Sequence, residues 1–213
     1  MLLTVNAFVS LDGTMQGPAG PEEYDSSFPA ARGGWLVPFA DQLGGVVDTD
    51  WFAHADAILL GRTTYQIMQP HWSQVTDPDD PVATVLNTYR KYVVSSTLTP
   101  ETATWANTEL ISENVFERVA ELKQAPGREL QVHGSLKLAK SLHNAGLVDL
   151  YRLLVFPVVV GAGKRLFDEA TIPTTFKVKS QKPSGSLTAL ELEPSDYAVG
   201  TVLVSEGKDA VAS

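Results

Sequence analysis

The hydrophobic pattern opens with a run that is apolar or β-branched at nearly every position from Leu2 to Ser10. A run without polar alternation is typical of a central strand that is covered on both faces. Asp12 and Gly13 then give a turn signal, and residues 13–45 are rich in glycine and proline. We predict a short helical piece at 37–43 within this segment. A loop of this length inside a compact domain is usually functional or mobile.

After residue 49 the pattern becomes a repeating unit of a short buried strand, a small residue and a helix. Such alternation predicts βαβ units and therefore parallel strands. The predicted strands lie at 56–61, 92–96, 109–111 and 129–133. The predicted helices lie at 51–57, 62–68, 82–89, 115–123 and 135–145.

The last third of the chain has a different pattern. A strand at 149–156 is followed by strand patterns at 175–180, 187–192 and 197–205, with hairpin chemistry at Ser184 and Gly185. We expect one α/β domain over residues 1–206 and a disordered tail at 207–213. The predicted fold has three layers: a mostly parallel central sheet, helices on both of its faces, and an antiparallel hairpin at the C-terminal edge.

Composition narrows the possible functions. The 213 residues carry a formal net charge of -9, which disfavours general binding to nucleic acid. The chain has no cysteine, so disulfides, thiolate nucleophiles and cysteine-based zinc sites are excluded. The four histidines show no metal-ligand spacing, and we expect no bound metal. No apolar run has the length of a membrane span, and the first residues lack a basic leader, so we expect a cytoplasmic protein.

Three predicted strand-to-helix junctions carry residues that suit a phosphate. In open α/β sheets ligands bind at the carboxyl ends of strands, where helix N-termini present free N–H groups. Together the junctions would form a dinucleotide-binding edge, which we call the cradle. Singly, each is also ordinary loop and helix-capping chemistry, and the standard G-x-G-x-x-G fingerprint is absent. The cradle consists of Gly61, Arg62, Thr63 and Thr64, then Ser95, Ser96 and Thr97, then Gly134 and Ser135.

Four sequence blocks now occur in a recognisable order. They are Ser10-Leu11-Asp12-Gly13, ADAILLGRTTY at 55–65, Val132-His133-Gly134-Ser135 with LVDL at 147–150, and FPVVVGAG at 156–163. In these blocks the chain resembles the dihydrofolate reductase-like family over about residues 2–205. The resemblance is to the branch that contains the reductase domain of bifunctional riboflavin-biosynthesis deaminase-reductases. It implies the fold predicted above, NADPH across the strand ends, and often a homodimer.

The resemblance also implies roles for the cradle residues. Gly61, Arg62, Thr63 and Thr64 match the family's Gly-Arg-x-Thr cofactor segment, Ser95 and Ser96 match the loop near the adenosine 2′-phosphate, and Gly134 and Ser135 match the turn under the pyrophosphate. Asn6 and Ala7 fall where the first strand flanks the nicotinamide. We expect Arg62 to discriminate NADPH from NADH, because a guanidinium can bind a phosphate with two hydrogen bonds.

The substrate side follows the same resemblance. Asp12 would begin the loop beside the nicotinamide, and the loop after the long strand would contact the substrate through Gly161, Gly163, Lys164 and Arg165. Lys164 and Arg165 could bind a substrate phosphate or form a solvated basic turn. Asp41 and Asp50 are the candidate proton donors. Asp41 lies one residue out of register with the family's Trp-x-x-Pro-x-Asp stretch, and Asp50 also suits a helix N-cap.

Two functions remain open on the sequence alone. The first is an NADPH-dependent reductase that transfers a hydride to a small heterocyclic substrate of the pterin or aminouracil type. The second is a non-catalytic protein that binds a nucleotide or small molecule on the same fold, which the register of Asp41 favours. A hydrolase or transferase that uses the acidic loop residues ranks last, because the sequence has no nucleophile motif such as G-x-S-x-G.

Overall fold

The computed structural model describes residues 1–20, 23, 27–205 and 208–212. Its strands are β1 (Leu2–Ser10), β2 (Ala55–Gly61), β3 (Arg90–Val94), β4 (Thr108–Ile111), β5 (Glu129–His133), β6 (Leu150–Phe156), β7 (Thr175–Ser184), β8 (Leu187–Ser195), β9 (Thr201–Ser205) and β10 (Lys208–Ala212). The first eight form one sheet in the order β4-β3-β2-β5-β1-β6-β8-β7, and β9 pairs with β10 in a second sheet.

The sheet is parallel from β4 to β6, and β8 and β7 then add an antiparallel hairpin at one edge. The α-helices are α1 (Gly44–Val46), α2 (Arg62–Trp72), α3 (Pro81–Thr88), α4 (Val115–Gln124) and α5 (Leu136–Asn144). Helical turns of other types span Ala30–Arg32, Val37–Gln42, Val47–Trp51 and Phe52–His54. The predicted fold class, including the C-terminal hairpin, is confirmed.

Alternate residues of the central strands pack against different layers. On one face, β1 residues such as Leu3 and Val5 contact the core that α4 and α5 complete with Val119 and Leu142. On the other face, Ile58 and its neighbours pack against α2 and α3, and a second cluster around Trp51 and Phe156 lies beside them. Burial on both faces explains the unbroken apolar runs of β1 and β2.

Several predicted elements differ in detail. The helix predicted at 51–57 is only the turn Phe52–His54, because strand β2 already begins at Ala55. The strand predicted at 197–205 is limited to β9, which pairs with β10 and not with the main sheet. Strand β10 occupies 208–212 of the tail that we predicted to be disordered, while Gly207 and Ser213 lie outside the described residues. Within the described part of the chain, no helix has the length and apolarity needed to span a bilayer.

Candidate functional site

Two of the three cradle junctions are locked to each other by hydrogen bonds. The N–H of Gly61 donates to Ser135 Oγ at 2.8 Å, and the N–H of Ser135 donates to Thr64 Oγ1 at 2.9 Å. Gly134 has φ +56°, and a Cβ there would lie 3.1 Å from Thr64 Cγ2, so glycine suits both the turn and the close packing. The β2–α2 and β5–α5 turns therefore form one rigid unit at the carboxyl ends of their strands.

Helices α2 and α5 both begin at this unit. Gly61 is the N-cap of α2 and Ser135 is the N-cap of α5, and neither helix has a side-chain cap. The first N–H groups of a helix have no partner within it and carry partial positive charge. Two uncapped helix N-termini at adjacent positions make an edge that suits a diphosphate.

Arg62 connects the third junction to this edge. Its exposed side chain donates from Nη1 to Thr97 Oγ1 at 2.6 Å. Ser95 is buried, and its hydroxyl accepts from the N–H groups of Thr97 and Leu98 at 3.2 and 2.9 Å, so it shapes the loop. Ser96, between Ser95 and Thr97 in the chain, is exposed. The cradle residues therefore come together as predicted, with Thr97 as the direct partner of Arg62.

Asn6 and Ala7 occupy opposite faces of β1. Ala7 is 2% exposed within the core under α4 and α5. Asn6 is 1% exposed on the other face, directly across from His133 in the parallel pairing of β1 with β5. Asn6 Nδ2 lies 3.5 Å from His133 Nε2, and Asn6 Oδ1 has no partner within the described residues. Only the Asn6 side chain therefore shares a face with His133, which immediately precedes the Gly134 turn.

His133 belongs to a buried polar network that the motif analysis did not identify. Its ring stacks on Phe52 with centroids 4.6 Å apart and contacts the Gln131 amide at 2.9 Å. Burial and, to a lesser extent, the charge of Arg152 together lower the pKa of His133 to about 3, so the ring is neutral. The available sequence signal was the polar side chains at alternate positions of β5, namely Glu129, Gln131 and His133.

The Asp12 carboxylate fastens two loops together. It accepts hydrogen bonds from the Ser10 hydroxyl at 2.6 Å and from the N–H groups of Val160 and Gly161 at 3.0 and 2.9 Å. Burial acts to raise its pKa, but these hydrogen bonds outweigh burial and lower the pKa to about 2. Both carboxylate oxygens are therefore bound within the protein, which leaves Asp12 better suited to positioning the loop than to contacting substrate.

The loop at 157–166 lies against the turn after β1. Gly161 is bound to Asp12, and a Cβ on Gly163 would lie 2.6 Å from the Phe28 ring. Lys164 and Arg165 are exposed, and Arg165 Nη2 lies 3.9 Å from Asp12. Arg32, which sequence reasoning missed, donates to the Val160 carbonyl at 3.0 Å. Three exposed cations therefore stand near the carboxyl ends of β1 and β6.

Comparison with known proteins identifies the family of this chain. A family model described as the RibD C-terminal domain matches residues 1–190. The chain belongs to the RibD C-terminal domain family. Among curated relatives, the uncharacterized protein YyaP of Bacillus subtilis (strain 168) is 31% identical over 161 residues, which cover 75% of this chain and 76% of that one.

Two solved structures show the same fold as this RibD C-terminal domain protein. A putative riboflavin biosynthesis protein from Shewanella sp. PV-4 has TM-score 0.61 and 20% identity and covers 92% of this chain and 100% of its own. A diaminohydroxyphosphoribosylaminopyrimidine deaminase/5-amino-6-(5-phosphoribosylamino)uracil reductase from Thermotoga maritima has TM-score 0.60 and 16% identity, with coverage of 91% and 56%.

In this RibD C-terminal domain, the two candidate carboxylates lie at opposite ends of the sheet: Asp41 near the hairpin tip, which the pairing of Val155 with Thr188 puts at the carboxyl end of β6, and Asp50 at the other end. Asp41 is exposed on the turn Val37–Gln42, whose last residue is bonded to Ser184 and Ser186 at the tip of the β7–β8 hairpin. Asp50 lines a cavity of about 1150 Å³ with Leu2 and Leu150. Those residues begin β1 and β6, so this cavity lies at the end of the sheet opposite the cradle.

A second cavity, of about 600 Å³, lies between α2 and α3 near Asn87 and Trp105. Its lining includes no cradle residue. Within the described residues, no group of three or more His, Asp or Glu side chains is arranged to hold a metal ion.

Proposed function

We propose that this RibD C-terminal domain protein is an NADPH-dependent reductase of a small heterocyclic substrate of the pterin or aminouracil class. One observation carries the proposal: the uncapped N-termini of α2 and α5 are locked side by side through Gly61, Thr64 and Ser135. A dinucleotide needs an anion site of this kind at the carboxyl edge of an α/β sheet. Membership of a family whose relatives include a uracil reductase supports the same reading.

Each part of the cradle has a role in this proposal. The N–H groups that open α2 and α5 bind the pyrophosphate, and the hydroxyls of Thr63 and Ser96 are available to hydrogen-bond to it or to the ribose. Arg62 binds the adenosine 2′-phosphate while Thr97 steadies its guanidinium. The cations Arg32, Lys164 and Arg165 would bind a phosphate on the substrate.

Bound NADPH supplies a hydride for an electrophilic carbon of a C=N or C=O bond. The electron pair of that bond moves to the heteroatom, which takes a proton, so that the products are the reduced substrate and NADP⁺. The protein's own contribution is to hold the two reactants together, since Asp12 fixes the loop that closes over the end of β1.

A labelling experiment tests the reductase. Purified protein is incubated with 5-amino-6-(5-phosphoribosylamino)uracil or dihydrofolate and with NADPH deuterated at the transferable position of its nicotinamide. The product is then analysed by mass spectrometry. The proposal expects one deuterium in the reduced product of one substrate. NADPH oxidation without deuterium in any product would contradict direct hydride transfer.

The alternative is a non-catalytic protein that binds a nucleotide or small molecule, and the position of Asp50 at the end of the sheet opposite the cradle favours it. It predicts saturable NADPH binding with no turnover of either substrate class. The same labelling experiment therefore separates the two functions once cofactor binding has been measured.

A further inference from the structure

The buried network fixes where the proton of His133 sits. Gln131 Nε2 donates to the Trp51 carbonyl and to Glu129 Oε2, both at 2.7 Å. Since both of those atoms only accept, the orientation of the Gln131 amide is determined. Its Oε1, 2.9 Å from His133 Nε2, must then be an acceptor. His133 Nε2 therefore carries the hydrogen, and Nδ1 keeps a lone pair.

The rest of the network holds this arrangement in place. Arg152 donates from Nη1 and Nη2 to the two Glu129 oxygens at 2.6 and 2.7 Å, and from Nε to Glu191 at 2.8 Å. Arg152 and Glu129 are 5% and 4% exposed. The Glu129 carboxylate is therefore a fixed acceptor for Gln131. Through the Gln131 amide it also fixes the orientation of the His133 ring.

The hydrogen on His133 Nε2 also determines how the Asn6 amide is oriented and which of its atoms lacks a hydrogen-bond partner. His133 Nε2–H cannot accept a hydrogen bond, so the amide atom that best faces it is Asn6 Oδ1, which turns the Asn6 NH₂ away. In the opposite orientation Oδ1 itself has no partner. The rotated NH₂ takes the position at which Oδ1 has no partner in the described structure, in a side chain that is 1% exposed. Buried polar groups nearly always have partners, so an unpaired one calls for a partner from outside the chain, such as a water or a ligand.

His133 Nδ1 is the second unused group. It has no hydrogen-bond partner within the described residues, and the ring is held on the other side by Phe52 and Gln131. Asn6 and His133 are register partners, and His133 directly precedes the Gly134 turn of the cradle. A donor on Asn6 and an acceptor on His133 thus stand next to each other at the proposed cofactor site.

We propose that Asn6 and His133 together recognise an amide edge, –CO–NH–, of a ligand bound beside the cradle. The Asn6 NH₂ donates to the ligand carbonyl, and His133 Nδ1 accepts from the ligand N–H. This inference rests on the proposed function, in which two groups offer that edge: the carboxamide of nicotinamide and the lactam of a pterin or uracil ring. Gln131, Glu129 and Arg152 are positioning residues, since they act on the ligand only through His133.

The ¹⁵N NMR shifts of the histidine rings test this directly. In the protein without ligand at neutral pH, His133 should show the neutral Nε2–H form. Saturation with NADP⁺ or with 5,6-diaminouracil should then move His133 Nδ1 upfield, and the probe that does so identifies the source of the amide edge. His143 is an internal control, because both of its ring nitrogens already have partners in Tyr151 and in the 172–174 segment.

Variants add a binding measurement. Asn6→Leu should raise the Kd of the effective probe about tenfold, the loss of roughly one buried hydrogen bond. Thr4→Val is the matched control, because Thr4 lies on the same face of β1 and also buries an unpaired hydroxyl. It should leave the Kd unchanged. Equal effects of the two substitutions would overturn the proposal.

The outcomes separate this inference from the proposed function. The inference is overturned if His133 in the free protein is charged or carries its hydrogen on Nδ1. It is also overturned if tryptophan fluorescence shows that a probe binds while the ¹⁵N shifts of His133 do not change. If that probe is NADP⁺, the proposed cofactor is still supported. A shift of His133 with 5,6-diaminouracil but no binding of NADP⁺ supports recognition of an amide edge by Asn6 and His133 and contradicts NADPH as the cofactor. No binding of either probe contradicts both.

Discussion

At the scale of single residues, a charged side chain in a loop can serve the fold before it serves a ligand. Asp12 lies in a predicted turn, and the family resemblance places it on the substrate side. Its oxygens nevertheless accept three hydrogen bonds within the protein, two of which join the end of β1 to the segment after β6. Its role as an anchor comes from residues 148 and 149 positions away in the chain. Short-range sequence patterns carry no information about such partners.

Asp12→Asn should lower the free energy of unfolding by about 1–3 kcal/mol at neutral pH, because an amide accepts fewer of these hydrogen bonds. The folded pKa of about 2 lies below the ordinary value of 3.8, so the unfolded state binds more protons between those values. The stabilisation is therefore present above about pH 4 and is lost as the pH falls towards about 2. Urea unfolding at a series of pH values measures it. The exposed Asp41→Asn is the control, and equal effects of the two variants at neutral pH would contradict the anchor.

At the scale of elements, the proposed cofactor site is a pair of strand-to-helix turns. Gly61 and Thr64 belong to one turn and Gly134 and Ser135 to the other, and two hydrogen bonds join them. The lock sets the separation of the two helix N-termini, and with it the spacing of the N–H groups offered to a diphosphate. Its effects should therefore appear in both stability and cofactor affinity.

Thr64→Val should cost about 1–2 kcal/mol of folding free energy, because the part-buried N–H of Ser135 loses its acceptor without gaining water. It should also raise the Kd for NADPH. Thr63→Val is the matched control for stability: the same change one residue earlier, at an exposed hydroxyl. Chemical denaturation compares the two. Unfolding curves that shift equally for both variants would rule out the lock.

At the scale of the whole molecule, a buried polar network crosses the sheet from β8 through β6 and β1 to β5. Glu191, Arg152, Glu129 and Gln131 follow one another within hydrogen-bond distance and end at His133. Burying these charges costs free energy that their pairing offsets only while every member is present. The network links the large cavity at one end of the strands, which Glu129 and Arg152 line, to the cradle at the other.

Arg152→Met should destabilise the protein by about 3–5 kcal/mol, since it leaves Glu129 buried without its countercharge. The double variant Arg152→Met with Glu129→Leu should regain a large part of that loss. Urea denaturation of both provides the comparison. Arg118→Met, which breaks an exposed ion pair with Glu109, is the control and should change stability little. A double variant no more stable than Arg152→Met would argue against charge burial as the cause.

Features that depend on residues close together in the chain could be predicted from the sequence. Strand, glycine and helix follow one another within a few residues at Gly61 and Gly134, so the sheet type and the cradle could be predicted. The polar network could not, because Asn6, His133 and Arg152 share a face only through the register of three strands that are far apart in the chain. The surroundings of Asp50 could not be predicted for a related reason: they depend on the chain-distant residues, such as Leu2 and Leu150, that line the same cavity.

The central claim is that the joined turns form an NADPH site with Arg62 at the 2′-phosphate. Parallel titration of the protein with NADPH and NADH, followed by quenching of its four tryptophans, tests it most directly. We expect tight NADPH and weak NADH binding, and Arg62→Ala should raise the Kd for NADPH about tenfold or more while leaving that for NADH nearly unchanged. Equal affinity for the two cofactors, or binding of neither, would contradict the account.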